Sequence, residues 1–122
     1  MERYSDLQIA ASTTAVISGL REVQLDPDTA AVWAATHPQL RLVALKGVRR
    51  VRANPGITAA EHHEAWVWDM ASLGWSIGRE RDLQRRTHPN MVQFYLLPPQ
   101  QQQKDEGGLL WIRFLAGLEW PS

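Results

Sequence analysis

Two pairs of residues have side chains of the types that do chemistry, and the first is His62 with His63. Adjacent residues on a helix point about 100° apart, so these imidazoles diverge and do not form the i, i+4 pair that clamps a metal ion. The chain has no cysteine, and no closed set of metal ligands accompanies the two histidines. We therefore expect no metal site.

The second pair, Asp82 and His88, has the types needed for acid–base catalysis by a hydrolase or transferase. No nucleophile motif such as G-x-S-x-G accompanies the pair, and the chain has neither a G-x-G-x-x-G loop nor a Walker lysine motif. An enzyme is accordingly the third-ranked hypothesis, and we expect no catalytic residue and no cofactor.

The tryptophans are the more informative feature. Three of the six lie in the stretch EAWVWDMASLGWSIG, residues 64–78. Tryptophan supplies a large rigid surface that either fills a core or stacks against a flat ligand. For Trp75, at a predicted helix-to-strand corner, we favour core packing, because a buried corner is filled by a large side chain. For Trp66, core packing and the wall of a cleft are equally good interpretations.

Composition limits the other possibilities. The 122 residues suit one domain, and 13 basic residues balance 13 acidic ones. We therefore expect no general attraction to nucleic acid or to an anionic membrane. The N-terminal sequence lacks the apolar run of a signal peptide and no segment is apolar enough to span a bilayer, so we expect a cytoplasmic protein without a membrane partner.

The N-terminal half predicts helices. SDLQ at residues 5–8 is a capping box, and the helix that it opens has Ile9, Val16, Leu20 and Val23 on one face. A short helix around Trp33 follows, and a further helix runs from Pro38 to the NPG at residues 54–56. Its apolar side is Leu40, Val43, Gly47, Val48 and Val51. Its basic residues, Arg41, Lys46, Arg49, Arg50 and Arg52, are interpreted as a solvated face, with phosphate contact as the alternative.

The C-terminal half predicts a mixed structure. TAAE at residues 58–61 opens a helix that ends at Gly74, with Trp66, Met70 and Leu73 on one face. WSIG and MVQFYLL are typical of strands, which we pair as an antiparallel ribbon. The prolines at 98 and 99 open a last helix with Leu110, Phe114 and Leu118 as its buried stripe. The expected fold class is α+β, mainly α.

A set of spaced residues resembles the ryanodine-receptor repeat, the RyR domain. The set is His63-x-x-Trp66, Gly74-Trp75-x-x-Gly78, Asp82, His88-Pro89, Met91-Val92, Leu97-Pro98 and Lys104-Asp105. The resemblance implies a helical N-terminal extension at residues 1–55, packed on a repeat at residues 56–122 as one compact unit. The upstream part is similar to small single-repeat proteins of phages and bacteria.

The resemblance also implies a function. In calcium-release channels these repeats are accessory modules in tandem pairs, and adenine nucleotides bind between paired repeats with the H-x-x-W tryptophan against the base. The resemblance therefore implies a non-enzymatic module that senses or sequesters a nucleotide-derived ligand. In a homodimer, the second copy of the chain would supply the other wall of the binding site. The alternative is a protein-interaction module that docks a host or virion partner through Trp120, Tyr95 and Leu96.

Residue roles follow from the same resemblance. The structural positions are Gly74, Trp75, Gly78, Pro89, Leu97 and Pro98. The ligand-binding positions are His63, Trp66, Met70, Arg79, Asp82 and His88, with Arg79 meeting phosphate. For Asp82 and His88 a structural role is favoured, in which Asp82 accepts from turn amides and His88 hydrogen-bonds across the loop. Trp68 is expected to pack on the N-terminal helices.

Overall fold

The computed structural model describes residues 4–18 and 26–118. In these two ranges it contains helices α1 (Asp6–Ile17), α2 (Pro27–Ala35), α3 (Pro38–Ala53), α4 (Ala59–Ser72) and α5 (Pro99–Ala116). Two short strands, β1 (Ser76–Ile77) and β2 (Thr87–His88), and a 3₁₀ turn (Phe94–Leu96) lie between α4 and α5. The α+β, mainly α, fold class is confirmed.

Both predicted capping boxes are present. Ser5 Oγ accepts from the Gln8 amide at 3.1 Å, and Gln8 Oε1 accepts from the Ser5 amide at 2.8 Å. Thr58 and Glu61 exchange the corresponding bonds at the start of α4. Each box satisfies backbone donors that the first helical turn leaves without a partner. The helix α1 ends at Ile17, and the predicted face residues Leu20 and Val23 lie outside the described residues.

The core lies where α1, α3 and α5 pack together. Its buried members include Ile9, Val48, Val51, Leu109 and Ile112. The predicted stripe of α5 is wrong at Leu110 and Phe114, which are exposed, whereas Leu109, Ile112 and Leu115 are buried. Its third residue, Leu118, packs against the core just after the helix. Gly108 explains the shift of one residue. A Cβ at this position would lie 2.7 Å from Ile17 Cδ1, so the glycine faces α1 at close range. Ile112 and Leu115, four and seven residues later, lie on the same face of α5 and are buried with it.

A buried arginine ties α5 to the turn between α3 and α4. Arg113 Nε donates to the Pro55 carbonyl at 2.9 Å, and its Nη2 donates to the Ile57 carbonyl at 2.6 Å. Because a guanidinium has donors in a fixed fork, one side chain can satisfy both carbonyls of the turn.

The basic residues of α3 are largely used within the chain. Arg50 pairs with Asp69 at 2.7 Å, and Arg49 and Arg52 both pair with Asp6. These ion pairs join α3 to α4 and to α1, so three of the five cations in the predicted basic cluster are neutralised locally.

The strand pairing differs from the prediction. β1 and β2 run parallel, with Ser76 opposite Thr87 and Ile77 opposite His88, so the antiparallel ribbon was wrong. The chain reverses within the connecting loop, where the amides and carbonyls of Asp82 and Thr87 pair at 3.0 and 3.1 Å. This local bridge brings β2 alongside β1 in the same direction. The MVQFYLL segment forms the 3₁₀ turn instead of a strand, with Phe94 and Leu97 buried.

The prediction for Trp68 was also wrong, because its side chain is 77% exposed on α4 and does not pack on the N-terminal helices of the described residues.

None of the helices within the two described ranges combines the length and hydrophobicity that crossing a membrane requires.

Candidate ligand-binding site

The corner after α4 is built as its residues predict. Gly74 has φ of +87°, a conformation that glycine adopts without steric cost. Arg86 Nη1 donates to the Leu73 carbonyl at 2.7 Å, which caps the end of the helix from the loop. Trp75 is buried at this corner, where it packs in one cluster with Val43 and Met70.

Gly78 sets the distance between the two strands. A Cβ on Gly78 would lie 2.5 Å from Thr87 Cβ, closer than two carbon atoms approach without a bond. The glycine therefore lets β2 lie directly against β1, and this close pairing fixes the position of His88, the residue after Thr87.

Four aromatic rings meet beside α4. The His88 ring lies 5.1 Å from the Trp66 ring in an edge-to-face arrangement, and 6.5 Å from the Trp75 ring. His63 stacks on Trp66 from one turn earlier, with ring centroids 5.4 Å apart. Contacts of this kind hold Trp66 in a defined orientation.

These rings form part of the wall of a cavity of about 290 Å³. Helices α1, α3, α4 and α5 and the loop between the strands all contribute to it. The lining residues used below are Thr13, Arg41, Gly47, His62, His63, Trp66, Met70, Trp75, Arg81, His88 and Asp105. The cavity therefore lies between the N-terminal helices and the segment that follows them.

His63 is held firmly in this wall. Its Nε2 lies 2.8 Å from the Val92 carbonyl, to which it donates, and its Nδ1 lies 3.4 Å from Asp105 Oδ2. Gln101 Nε2 donates to Asp105 Oδ1 at 2.9 Å. Burial lowers the pKa of His63, but the hydrogen bonds to Asp105 and to Val92 outweigh burial and raise the pKa overall.

The other two histidines of the cavity have lowered pKa values. Burial, with the nearby charge of Arg50, lowers the pKa of His62 to about 4. Burial, with Arg81 and His63, lowers the pKa of His88. His88 Nδ1 accepts from the Asn90 amide at 3.1 Å, which places the proton of the neutral ring on Nε2. At neutral pH both rings are therefore neutral hydrogen-bonding groups.

Two arginines line the cavity and pair with no carboxylate among residues 4–18 and 26–118. Arg41 Nε donates to the Thr36 carbonyl at 3.1 Å, and its guanidinium lies 4.7 Å from the centre of the Trp33 ring. Burial and the neighbouring charge of Arg81 lower the pKa of Arg41. Arg81 makes no hydrogen bond or ion pair with any residue of the described ranges. Asp105, the carboxylate of the lining, is bonded to His63 and Gln101 and pairs with neither arginine.

The structure brings together four of the six predicted ligand-binding residues, His63, Trp66, Met70 and His88, and leaves out Arg79 and Asp82. Asp82 Oδ1 accepts from the amides of Gln84 and Arg85 at 2.9 and 3.1 Å, which is the turn role favoured for it from the sequence. The chain bends at residues 79–80, and Arg81 is the arginine that returns to the cavity in place of Arg79.

Asp82 and His88 do not form an acid–base pair. Asp82 is bonded within its own turn, and His88 is bonded to the Asn90 amide. No hydrogen bond or ion pair joins them in the described part of the chain.

Several lining residues were not singled out from the sequence as site residues. The sequence places Arg41 on a solvated face and offers His62 only as a metal ligand, and no motif points to Thr13 as a binding residue, yet all three line the cavity. Within residues 4–18 and 26–118, no three histidine, aspartate or glutamate side chains are grouped as a metal site.

Comparison with known proteins gives one result on structures and one on families. No solved structure matches this chain. The RyR domain matches residues 49–120, more than half of the chain, and this range contains His63, Trp66, the glycine corner, Arg81, His88 and Asp105. The boundary between residues 55 and 56 remains a prediction. On this match, the chain belongs to the RyR domain family.

Proposed function

We propose that this protein is a non-enzymatic module that binds a small nucleotide-derived ligand in the cavity beside Trp66. One observation carries the proposal: an aromatic wall of Trp66 and His88 and the two unneutralised arginines, Arg41 and Arg81, line the same cavity. Aromatic side chains favour contact with the flat ring of a base, and guanidinium groups bind phosphate oxygens with good geometry.

The size of the cavity favours a mononucleotide. Small-molecule sites commonly enclose about 300–1,000 Å³, and this cavity of about 290 Å³ lies just below that range. A dinucleotide would extend beyond it. Residues of α1 and α3, such as Thr13 and Arg41, line the same cavity as Trp66, so binding in it needs no second copy of the chain.

The role that follows is the sensing or sequestration of a nucleotide, carried out where nucleotides are abundant, in the cytoplasm. A phage-encoded protein would use such a site to remove or detect a signalling nucleotide of its host. Both statements extend the ligand proposal and depend on it.

A thermal-shift screen against nucleoside mono-, di- and cyclic phosphates tests the proposal. A ligand at 100 times its dissociation constant stabilises the folded state by about 2.7 kcal/mol, a shift of several degrees for a domain of this size. Trp66→Leu should lose the shift. Trp68→Leu, on the same helix and 77% exposed, is the matched control and should keep it. The absence of a shift with every nucleotide at millimolar concentration would refute the proposal.

A second candidate function, a protein-interaction module, is favoured by the exposed side chains of Trp68, Tyr95 and Leu96. They are 77, 78 and 71% exposed, and they lie on α4 and on the 3₁₀ turn that contacts it. Tryptophan and tyrosine are enriched at protein interfaces. Trp120, also expected at this surface, lies outside the described residues.

A second copy of the chain is the partner to test first, by sedimentation equilibrium of the wild-type protein and of a Trp68→Ser, Tyr95→Ser variant. Dimerisation that the double substitution abolishes would support the interaction module. A monomer at every concentration would exclude self-association through this surface.

A further inference from the structure

We propose that Thr13 and His62 form a polar subsite within the cavity that receives an uncharged hydrogen-bonding group of the ligand, such as the edge of a nucleobase or a sugar hydroxyl. The inference rests on the proposed function and adds to it the chemical character of the ligand's buried end. Both residues line the cavity. Thr13 Oγ1 and His62 Nδ1 are buried, and neither bonds to any atom in the described ranges.

The hydroxyl of Thr13 differs from its neighbours on α1. Thr14 Oγ1 donates to the Ala10 carbonyl at 2.8 Å, and Ser12 Oγ accepts from Trp111 Nε1 at 3.0 Å. Thr13 is only 6% exposed, yet its hydroxyl has no such bond. A buried polar atom without a partner costs free energy, and a group that supplies the missing bond recovers that cost.

His62 adds a second neutral group. Its ring lies against α3, where a Cβ on Gly47 would be 3.2 Å from His62 Cε1, so the glycine makes room for the imidazole. With its pKa near 4 the ring is uncharged at neutral pH, and it then has one donor and one acceptor nitrogen.

The charged groups around the subsite already use their hydrogen-bonding atoms on other partners. Of the groups near His62, Arg50 is paired with Asp69, Arg113 is bonded to two carbonyls, and Asp105 is bonded to His63 and Gln101. Arg41 and Arg81 line the cavity and pair with no carboxylate of the described ranges, so they are the cations available to a phosphate. The ligand therefore places its anionic part at the arginines and its neutral polar part at Thr13 and His62.

The subsite spans two parts of the chain. His62 lies within residues 49–120, which match the RyR domain, whereas Thr13 lies before them. The N-terminal helix α1 thus contributes to recognition, and ligand preference depends on a residue outside the family match.

Calorimetric titration with adenosine 5′-monophosphate and with purine riboside 5′-monophosphate, which lacks the exocyclic amino group, tests the subsite. Thr13→Val removes the hydroxyl at nearly constant shape, and Thr13→Ser keeps it. For whichever of the two nucleotides the wild type binds more tightly, we expect Thr13→Val and His62→Phe each to weaken binding about tenfold, as the loss of one buried hydrogen bond does. Thr13→Ser should bind that nucleotide like the wild type. In urea, unliganded Thr13→Val should unfold at the same or a higher midpoint than the wild type, because its hydroxyl has no partner to lose.

The outcomes separate the two proposals. If Thr13→Val and His62→Phe bind like the wild type while Arg81→Ala binds more weakly, the subsite is overturned and the nucleotide site remains. If neither nucleotide binds the wild-type protein, the proposed function fails for this ligand class and the subsite fails with it. A large loss of stability in unliganded Thr13→Val would show that the hydroxyl is already bonded in the free protein, which also overturns the subsite.

Discussion

The His88 ring meets the Trp66 ring edge to face, with the two centroids 5.1 Å apart. This contact joins the strand loop to α4 and sets one wall of the cavity. It depends on Gly78, because only a residue without a side chain lets β2 lie this close to β1. The predictions below follow from this arrangement and from the charges around it.

Gly78→Ala should destabilise the protein. Its Cβ would lie 2.5 Å from Thr87 Cβ, so the strands must separate, at a cost of about 1–3 kcal/mol. Gly107→Ala is the matched control, because a Cβ there meets nothing within 4 Å on helix α5 and alanine favours helix by about 1 kcal/mol. Urea denaturation should give shifts of opposite sign. Equal shifts would contradict the close strand pairing.

The free energy of unfolding should be highest near pH 6.5. The pKa of His62 is lowered from 6.5 to about 4, so on acidification below pH 6.5 the unfolded chain binds a proton first and stability falls. The expected loss is about 2 kcal/mol by pH 5. The pKa of His63 is raised, so its contribution is complete below pH 6.5 and is lost as the pH rises through its folded-state value.

His62→Phe checks the acid side of this pH profile. Denaturation of the wild type and of this variant between pH 5 and pH 7 should show a smaller slope in the variant, since His88, whose pKa is also lowered, then remains as a source of the effect. An unchanged slope would show that His62 is not buried as a neutral ring.

Arg113→Leu should cost about 2–3 kcal/mol of stability, because the carbonyls of Pro55 and Ile57 both lose a charged donor in a buried setting. Arg49 provides the comparison. Its side chain is exposed and lies 3.9 Å from Asp6, so Arg49→Leu should change stability by less than about 1 kcal/mol. Similar losses in thermal or urea denaturation would argue against the role of Arg113 in the turn.

Trp75→Ala should be among the most destabilising substitutions, by about 3–5 kcal/mol, because it empties a buried corner packed against Val43 and Met70. Trp68→Ala should stay within about 0.5 kcal/mol of the wild type, because the side chain is largely exposed. The denaturation midpoints of the two variants measure these losses of stability. A large loss in Trp68→Ala would contradict the exposed position of Trp68.

The sequence predicted the features that depend on neighbouring residues. Ser5 with Gln8, and Thr58 with Glu61, set helix starts through bonds within four residues. Gly74 ends α4 because of its own backbone preference. These interactions are local, so a single sequence is enough to recognise them.

Features that hydrophobic spacing does not encode were missed, whether they rest on distant contacts or on the geometry of one loop. The buried face of α5 is set by the approach of Gly108 to Ile17, and the parallel strands are set by a bridge within their loop. The choice of Arg81 over Arg79 follows from a bend in the same loop. Arg41 joins the site because α3 packs beside α4. Hydrophobic spacing carries no information on these tertiary contacts.

The central claim is that a nucleotide binds in the cavity with its phosphate at the arginines. Calorimetric titration of adenosine 5′-monophosphate into wild-type protein, Arg81→Ala and Arg79→Ala tests it most directly, since Arg81 lines the cavity and Arg79 does not. We predict one ligand per chain, binding about tenfold weaker in Arg81→Ala, and wild-type affinity in Arg79→Ala, because Arg81 lines the cavity and can supply a charge-assisted bond to the phosphate whereas Arg79 lies outside it. Equal affinities in all three proteins, or no binding to the wild type, would contradict the account.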